Sequence, residues 1–207
     1  VALMRGFKKQ GKTVLGMKPV ASGCQLQDGK LINEDASLLQ ENASLKIEYD
    51  DVNPYAFELP VSPHLAAAKS GSTVELETIV QKFYELKSRS DCVLVEGIGG
   101  WMVPLNARQN VADLATKLEL PVILVVAVRL GCINHTLLTY NTIAASGLRC
   151  AGWIASCTEP EMLCREENIQ TLKDLIKAPL LGVLPYTEQA DFEFLARNLN
   201  LKKIKFI

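Results

Sequence analysis

The sequence predicts an α/β fold of the doubly wound type, in which a mostly parallel sheet is covered by helices on both faces. Two observations support this prediction. Five short runs are apolar throughout instead of alternating with polar residues, which is typical of strands buried on both faces. Helical patterns separate these runs, and strands that alternate with helices are typical of α/β domains. The runs are "TVLGM", "CVLVEG", "PVILVVAV", "CAGWIA" and "LLGVLPY".

The chain opens on a helical pattern, "VALMR", which the stretch "GFKKQGKT" connects to the first strand. That stretch matches the phosphate-loop pattern Gly-x-x-x-x-Gly-Lys-Ser/Thr at every position. A phosphate loop must follow a strand and open a helix, so that backbone N–H groups and the helix N-terminus face the phosphate. Here the order is reversed. The sequence therefore favours a turn in which Gly11 ends the helix and Lys12 is a solvated cation.

Four later stretches carry apolar residues at helical spacing and predict the helices between the remaining strands. They are "STVELETIVQKFYELKSRS", "NVADLATKLEL", "INHTLLTYNTIAASG" and "EMLCREENIQTLKDLIKA". One long polar segment, "SGCQLQDGKLINEDASLLQENASL", follows the first strand closely. The pattern contains no internal repeat, so we assign residues 1–207 to a single α/β domain.

Composition narrows the class of protein. The chain is 48% hydrophobic and 22% charged, as is ordinary for a globular domain. Its net charge of −1 provides no basic field for nucleic acid. No apolar run approaches the roughly 20 residues that a membrane span needs. The six cysteines include no Cys-x-x-Cys pair, which favours reduced thiols and a cytoplasmic protein.

The residues after each predicted strand should lie together, because ligands bind at the carboxyl ends of the strands in this fold. The residues expected at that edge are Lys18, Ser22, Glu96, Gly99, Gly100 and Asn134. Glu96 precedes a glycine-rich turn and is a candidate Mg²⁺ ligand, since hard cations prefer carboxylate oxygens in open loops. Lys18 could bind an anion. We expect it to be exposed, so that its replacement by Ala would spare the fold. Asp35 alone is more typical of a helix cap than of a metal ligand.

Taken together, seven segments resemble the dethiobiotin synthase family. The resemblance extends from about Val1 to Pro185, and "VNPYAFELPVSPH" and "RLGCINH" are its most diagnostic parts. The segments, in chain order, are "KPVASG", "NEDA", "VNPYAFELPVSPHLAA", "VLVEGIGGW", "PVILVVAVRLGCINH", "AGWIAS" and "APLLGVLPY". The resemblance implies a phosphate-loop NTPase-like fold.

The resemblance also implies an activity. The family closes a ureido ring on 7,8-diaminopelargonate, using CO2 and ATP with Mg²⁺ as the cofactor, and the product is dethiobiotin. Both the carbamate and the γ-phosphate are anions, so a cation must bring them together. Lys18 corresponds to the family lysine with that role, and Asp35 and Glu96 correspond to its Mg²⁺ carboxylates. A homodimer is implied as well, with the substrate site at its interface.

The remaining site residues follow from the same resemblance. Those expected to bind substrate are Ser22, Gly99, Leu130, Gly131, Cys132 and Asn134. Those expected to bind nucleotide are Glu96, Gly99, Ser156, Pro185 and Tyr186. Ser156 stands where the family often has an Asn that contacts adenine, and Cys157 replaces the usual acid after it. The base preference is therefore open.

The family's own phosphate loop lies before the helix with which this sequence begins. We therefore expect a first strand and loop, about 20 residues, to precede Val1 in a complete family member. One alternative is a loop-less fragment or paralogue that dimerises and binds substrate without turnover. Another is a related cobyrinate-amidating enzyme or partition-type ATPase, although those lack "VNPYAFELPVSPH".

Overall fold

The computed structural model describes residues 1–204, which form two compact units. One unit comprises Val1 and Leu3–Leu118, and the other comprises Ala2 with residues 119–204. The assignment of residues 1–207 to one domain remains a prediction. None of the helices within residues 1–204 has both the length and the apolar character that a membrane crossing requires.

The first unit is built from short strands and helices in alternation. Its helices are α1 (Ala2–Lys9), α2 (Glu34–Glu41), α3 (Tyr49–Val52), α4 (Pro63–Lys69), α5 (Leu76–Lys87) and α6 (Val111–Leu118). Its strands are β1 (Val14–Met17), β2 (Val20–Ser22), β3 (Gln25–Gln27), β4 (Lys30–Ile32), β5 (Tyr55–Phe57) and β6 (Cys92–Val95).

Strands β1 and β6 form a parallel pair, as their continuous apolar runs predicted. Val14 pairs with Cys92 at one end of the ladder and Met17 with Val95 at the other. Strands β2 and β5 form a second parallel pair, while β3 and β4 form an antiparallel hairpin. The polar segment, which begins at Ser22, therefore contains the last residue of β2, the hairpin and α2, none of which its pattern predicted.

The stretch "GFKKQGKT" has the order helix, turn, strand that the sequence favoured. Helix α1 ends at Lys9, Gly11 has a φ of +77°, and β1 begins at Val14. A left-handed glycine just after a helix is a common way for that helix to end. The match to the phosphate-loop pattern is therefore accidental, because a helix leads into this stretch and a strand follows it, the reverse of the order that a phosphate loop requires.

Gly16 allows α2 to lie close against β1. A Cβ at Gly16 would lie 2.8 Å from Cβ of Leu39 in α2 and 3.2 Å from Cε of Met4 in α1. The 2.8 Å separation from Cβ of Leu39 cannot be accommodated without a shift of α2. Because Gly16 is two residues before Lys18, this close approach also fixes the distance between α2 and the end of β1.

We expect Gly16→Ala to destabilise the first unit, because the added methyl group overpacks the α2–β1 contact. A loss of about 1–3 kcal/mol in the free energy of unfolding is typical of such overpacking, and urea denaturation measures it. Gly97→Ala is the matched control, since its added carbon would meet Val111 at an ordinary 3.4 Å. Equal urea midpoints for the two variants would contradict the prediction.

The second unit is a three-stranded parallel sheet with helices. In chain order its elements are β7 (Val122–Val128), α7 (Cys132–Ala145), β8 (Cys150–Cys157), α8 (Arg165–Leu175), β9 (Leu180–Leu184), α9 (Phe192–Arg197) and a 3₁₀ helix (Leu201–Lys203). The strand order is β7–β8–β9, and both pairings are parallel. These strands and the helices α7 and α8 confirm the sequence prediction.

The core of the second unit lies between this sheet and the helices α7 and α8. Trp153 of β8 is fully buried there. The buried members of the cluster are Val126, Val128, Cys132, Trp153, Ala155, Ile169, Leu172 and Ile176. The apolar strand runs and one face of each helix therefore build this core, as the periodicity predicted.

Candidate active site

The register of the β1–β6 ladder places Lys18 beside Glu96. Met17 pairs with Val95, so the next residue on each strand emerges at the same carboxyl edge. The backbone N–H of Glu96 continues the ladder by donating to the carbonyl of Met17 at 2.8 Å. Lys18 precedes Pro19, which restricts Lys18 to an extended backbone conformation. Parallel pairing thus brings together a lysine and a glutamate that are 78 residues apart.

Helix α2 adds Asp35 to this pair. The side chain of Asn33 caps the helix by accepting the N–H of Ala36 at 3.2 Å. Asp35 lies in the first turn, where a negative charge is stabilised by the helix dipole. Asp35 is therefore not the capping residue. Its carboxylate instead reaches the end of β1.

The ammonium group of Lys18 lies between the two carboxylates. Its Nζ donates to Oε1 of Glu96 at 2.5 Å, to Oδ2 of Asp35 at 3.0 Å and to the carbonyl of Gly97 at 3.2 Å. Burial by itself would lower the pKa of Lys18, but the hydrogen bonds and charges of Glu96 and Asp35 outweigh it and raise the pKa above its ordinary value. Lys18 is therefore a cation throughout the neutral pH range.

The expectation that Lys18 is exposed is wrong. Only 6% of the residue is accessible to solvent, because its aliphatic stem is enclosed at the end of β1. The two carboxylates are more open, with 54% of the Asp35 side chain and 46% of the Glu96 side chain exposed. The site therefore consists of a buried, fixed cation whose acidic partners face solvent.

The glycine-rich turn after β6 completes this edge of the first unit. Gly99 and Gly100 have φ values of +68° and +123°, which side chains rarely permit. Ser22 ends β2 opposite Phe57 and is not among the partners of Lys18 Nζ within residues 1–204. The structure thus joins Lys18, Asp35 and Glu96 directly. It places Ser22 and Gly99 in neighbouring segments of the chain.

The structure adds two functional candidates, Asn53 and Tyr49, to those that the sequence predicts. Asn53 is buried, with 3% of its surface accessible, and its side-chain Nδ2 donates to the carbonyl of Lys18 at 2.7 Å. Tyr49 donates its hydroxyl to Oδ1 of Asn53 at 3.3 Å. The segment "VNPYAF" contributes to the family resemblance only as a whole. Its one local signal at this position is an asparagine that directly precedes a proline.

Asn53 and Tyr49 connect segments that are distant from each other in the sequence. Tyr49 also accepts the backbone N–H of Asn33, the residue that caps α2, at 2.7 Å. The same pair therefore contacts the backbone of Lys18 and the start of the helix that carries Asp35.

The other predicted site residues belong to the second unit. Ser156 is the penultimate residue of β8 and pairs with Leu184, so Pro185 and Tyr186 follow at the same carboxyl edge of that sheet. Tyr186 is 41% exposed, and Ser156 is half-buried. The three residues assigned to nucleotide in this unit are thus neighbours in space.

The loop after β7 presents the remaining substrate candidates. Leu130 is 95% exposed, Asn134 is exposed, and Gly131 has a φ of +89° where α7 begins. Cys132 differs, because its side chain is 3% exposed and packs in the core cluster. Any ligand contact by Cys132 would therefore have to come from its backbone.

Asp35 and Glu96 fit a Mg²⁺ ion as two of its ligands. Both offer hard carboxylate oxygens that are open to water, and Mg²⁺ usually binds one or two carboxylates while it keeps several waters. Within residues 1–204, no group of three or more His, Cys, Asp or Glu side chains is positioned to hold a metal. The described residues therefore supply a carboxylate pair and not a complete protein cage.

Comparison with known proteins finds relatives that match nearly the whole chain. A family model described as "AAA domain" matches residues 1–193. The ATP-dependent dethiobiotin synthetase BioD of Aromatoleum aromaticum is 47% identical over 200 residues, which are 97% of this chain and 89% of that protein. The protein of the same name from Nitrosospira multiformis is 42% identical over 203 residues, covering 98% and 88% of the two chains.

Solved structures show the same fold at low identity. The MinD cell division protein of Aquifex aeolicus matches with a TM-score of 0.54 at 18% identity, covering 97% of this chain and 80% of that one. The cell division ATPase MinD of Pyrococcus furiosus gives 0.54 at 15% identity, covering 98% and 90%. These matches confirm the phosphate-loop NTPase-like α/β fold. At more than 40% identity to relatives over nearly its whole length, the chain belongs to the family of ATP-dependent dethiobiotin synthetases.

Proposed function

We propose that this protein converts 7,8-diaminopelargonate and CO2 to dethiobiotin, with ATP as co-substrate and Mg²⁺ as cofactor. The observation that carries the proposal is the buried ammonium of Lys18 at the end of β1, held by Asp35 and Glu96. The names of the relatives support the reaction class. The site supplies the fixed positive charge that a reaction between two anions requires.

The proposed reaction proceeds in three steps. One amine of the substrate adds to CO2, so that an N–C bond forms and a proton is released, leaving a carbamate. An oxygen of the carbamate attacks the γ-phosphorus of ATP, and ADP leaves. The second amine then attacks the carbamoyl carbon and loses a proton to solvent, and the bond between that carbon and the phosphate oxygen breaks, so that inorganic phosphate leaves as the ureido ring closes.

Lys18 serves this sequence as an electrostatic bridge. It keeps its charge at neutral pH because its pKa is raised, so it can attract the carbamate and the γ-phosphate to one point. Its backbone is fixed by the pairing of β1 and by the following proline. A cation that is held in place before the ligands arrive needs no reorganisation when charge develops.

Asp35 and Glu96 would hold the Mg²⁺, which when bound supplies positive charge to the phosphate oxygens. The turn at Gly99 would face the reacting end of the substrate, and Ser22 would contact it through its hydroxyl group. In the second unit, Ser156, Pro185 and Tyr186 would bind the nucleotide. The carboxylate end of the substrate would meet a set from the α7 loop and its helix: Leu130, Gly131, Cys132 and Asn134.

The proposal is tested by incubating the protein with 7,8-diaminopelargonate, ¹³C-bicarbonate, ATP and Mg²⁺. We expect labelled dethiobiotin by mass spectrometry, with one phosphate released per molecule of product. Omission of any one component should abolish the product. Binding of 7,8-diaminopelargonate in calorimetry without labelled product would instead support the non-catalytic alternative and contradict the proposal.

The lysine of the misleading motif provides a further prediction. We expect Lys12→Ala to leave turnover and the Kd for ATP unchanged, because Lys12 is exposed in the turn between α1 and β1. Titration with ATP and the product assay above measure both quantities. A loss of ATP binding in this variant would mean that "GFKKQGKT" binds phosphate after all.

The homodimer and the cytoplasmic location remain predictions. Exposed leucines support a protein interface in the second unit, since Leu130 is 95% exposed and Leu138 of α7 is 59% exposed. Light scattering of the purified protein measures the number of chains per particle.

A further inference from the structure

A closed chain of contacts joins the two ends of the Lys18–Asp35 ion pair through the protein. Starting at the backbone of Lys18, its carbonyl accepts from Asn53 at 2.7 Å, and Asn53 accepts from Tyr49 at 3.3 Å. Tyr49 accepts from the N–H of Asn33 at 2.7 Å, and Asn33 caps the helix whose first turn carries Asp35. Asp35 then accepts from Nζ of Lys18 at 3.0 Å, which closes the chain of contacts.

We propose that Tyr49, acting through Asn53, is a positioning residue that sets the distance between Asp35 and Lys18 for the reaction proposed above. The proposal rests on that proposed function. The proposal gives the Tyr49 hydroxyl a role, because neither the Lys18–Asp35 ion pair nor the pairing of β1 with β6 involves that hydroxyl. Neither Tyr49 nor Asn53 is among the hydrogen-bond partners of Lys18 Nζ within residues 1–204, so both act through the backbone of Lys18 and the helix that carries Asp35.

The chemistry of the hydroxyl suits a link of this kind. Tyr49 must accept from one partner and donate to another at the same time, which a neutral phenol can do. Burial raises the pKa of Tyr49, while the hydrogen bond from Asn33 lowers it, and the net shift is upward. The hydroxyl thus keeps its proton at neutral pH and can donate to Asn53.

The burial of Asn53 makes the link rigid. Its Nδ2 group also donates to the carbonyl of Tyr55 at 3.2 Å, and its backbone N–H donates to the carbonyl of Tyr49 at 2.8 Å. A buried amide with each partner satisfied is costly to displace. Movement of α2 away from β1 would therefore have to break the contact at Tyr49, the only member of the link that joins Asn53 to Asn33 in the described part of the chain.

The test is Tyr49→Phe, which removes the hydroxyl and keeps the ring. Tyr55→Phe is the matched control, because the Tyr55 hydroxyl likewise accepts one backbone N–H, from Glu75 at 3.1 Å. That hydroxyl is not part of the closed chain of contacts. The first readout is the exchange rate of the Lys18 ammonium protons with water, measured by ¹⁵N NMR at neutral pH. This rate depends on how firmly the ammonium is held and needs neither metal nor turnover.

We expect ammonium exchange about fivefold faster in Tyr49→Phe, the factor that one ordinary hydrogen bond contributes. We also expect the Mg²⁺ concentration for half-maximal turnover to rise about tenfold, as is typical when a residue that orients a metal ligand is lost. Tyr55→Phe should leave both values unchanged, even if its melting temperature falls equally.

The outcomes separate this proposal from the proposed function. Unchanged ammonium exchange in Tyr49→Phe would overturn the positioning role whatever the activity. Faster exchange with an unchanged Mg²⁺ requirement would also overturn it, since the link would then hold the pair without serving the reaction. If the unsubstituted protein forms no dethiobiotin, the proposed function fails and the exchange rates alone decide the positioning role.

Discussion

Replacement of Lys18 by Met is expected to reduce dethiobiotin formation by about 10² to 10³-fold, the range seen when one preorganised electrostatic contact to a transition state is removed. Methionine keeps the length of the buried stem and removes the ammonium group, with its charge and its three hydrogen bonds. The carbamate and the γ-phosphate would then meet without the cation that offsets their repulsion. Phosphate release and labelled dethiobiotin, measured together, give the size of the loss.

Stability has to be measured alongside turnover, because Lys18 is buried and neutralises two acids. Lys18→Ala would also leave space at the end of β1, so Met is the cleaner variant. Asp35 and Glu96 are about half exposed, so solvent screens their repulsion once the ammonium is gone. We therefore expect Lys18→Met to fold. Lys12→Met is the control, and equal turnover in the two variants would remove Lys18 from the reaction.

Glu96→Gln is expected to raise the Mg²⁺ concentration for half-maximal turnover by about tenfold or more. Glutamine has the same shape and can still accept the hydrogen bond from Lys18. It lacks the negative charge that attracts a hard cation. A titration of turnover against Mg²⁺ at saturating ATP measures the shift, and high Mg²⁺ should restore part of the rate.

A second lysine-paired glutamate in the first unit provides the control. Glu77 accepts from Lys117 at 2.5 Å on the surface, between α5 and α6. Glu77→Gln makes the same chemical change with the same kind of partner but away from the site. If both variants give the unsubstituted Mg²⁺ curve, Glu96 is not a ligand. If both shift it equally, the effect is one of general charge.

The sequence predicted the longer strands and helices because the spacing of apolar residues within each segment indicates its structure. The runs that became β1, β6, β7, β8 and β9 are apolar throughout, and short apolar runs rich in β-branched residues between turn signals favour strands. The three-residue strands β2 to β5 carry no comparable signal. They pair because the chain folds back on itself, which is a tertiary effect that local propensity does not record.

The sequence predicts the residues of the candidate site that directly follow a strand. Lys18 and Glu96 follow paired strands, so a parallel register alone brings them together. Asp35 could be reached only by resemblance, since its place depends on how closely α2 packs against Gly16. The burial of Lys18 and its contact with Asn53 could not be predicted from the sequence. Asn53 and Lys18 are 35 residues apart, and no pattern along the chain links such distant partners.

The three hydrogen bonds of Lys18 Nζ have a consequence for the entropy of binding. A lysine side chain loses up to about 2 kcal/mol of rotamer entropy when it is confined to a single conformation. Here the confinement takes place when the chain folds, so the ligands meet an ammonium group that has already lost its freedom. A solvent-exposed lysine would lose that freedom at every binding event, and its affinity for the anions would be correspondingly weaker.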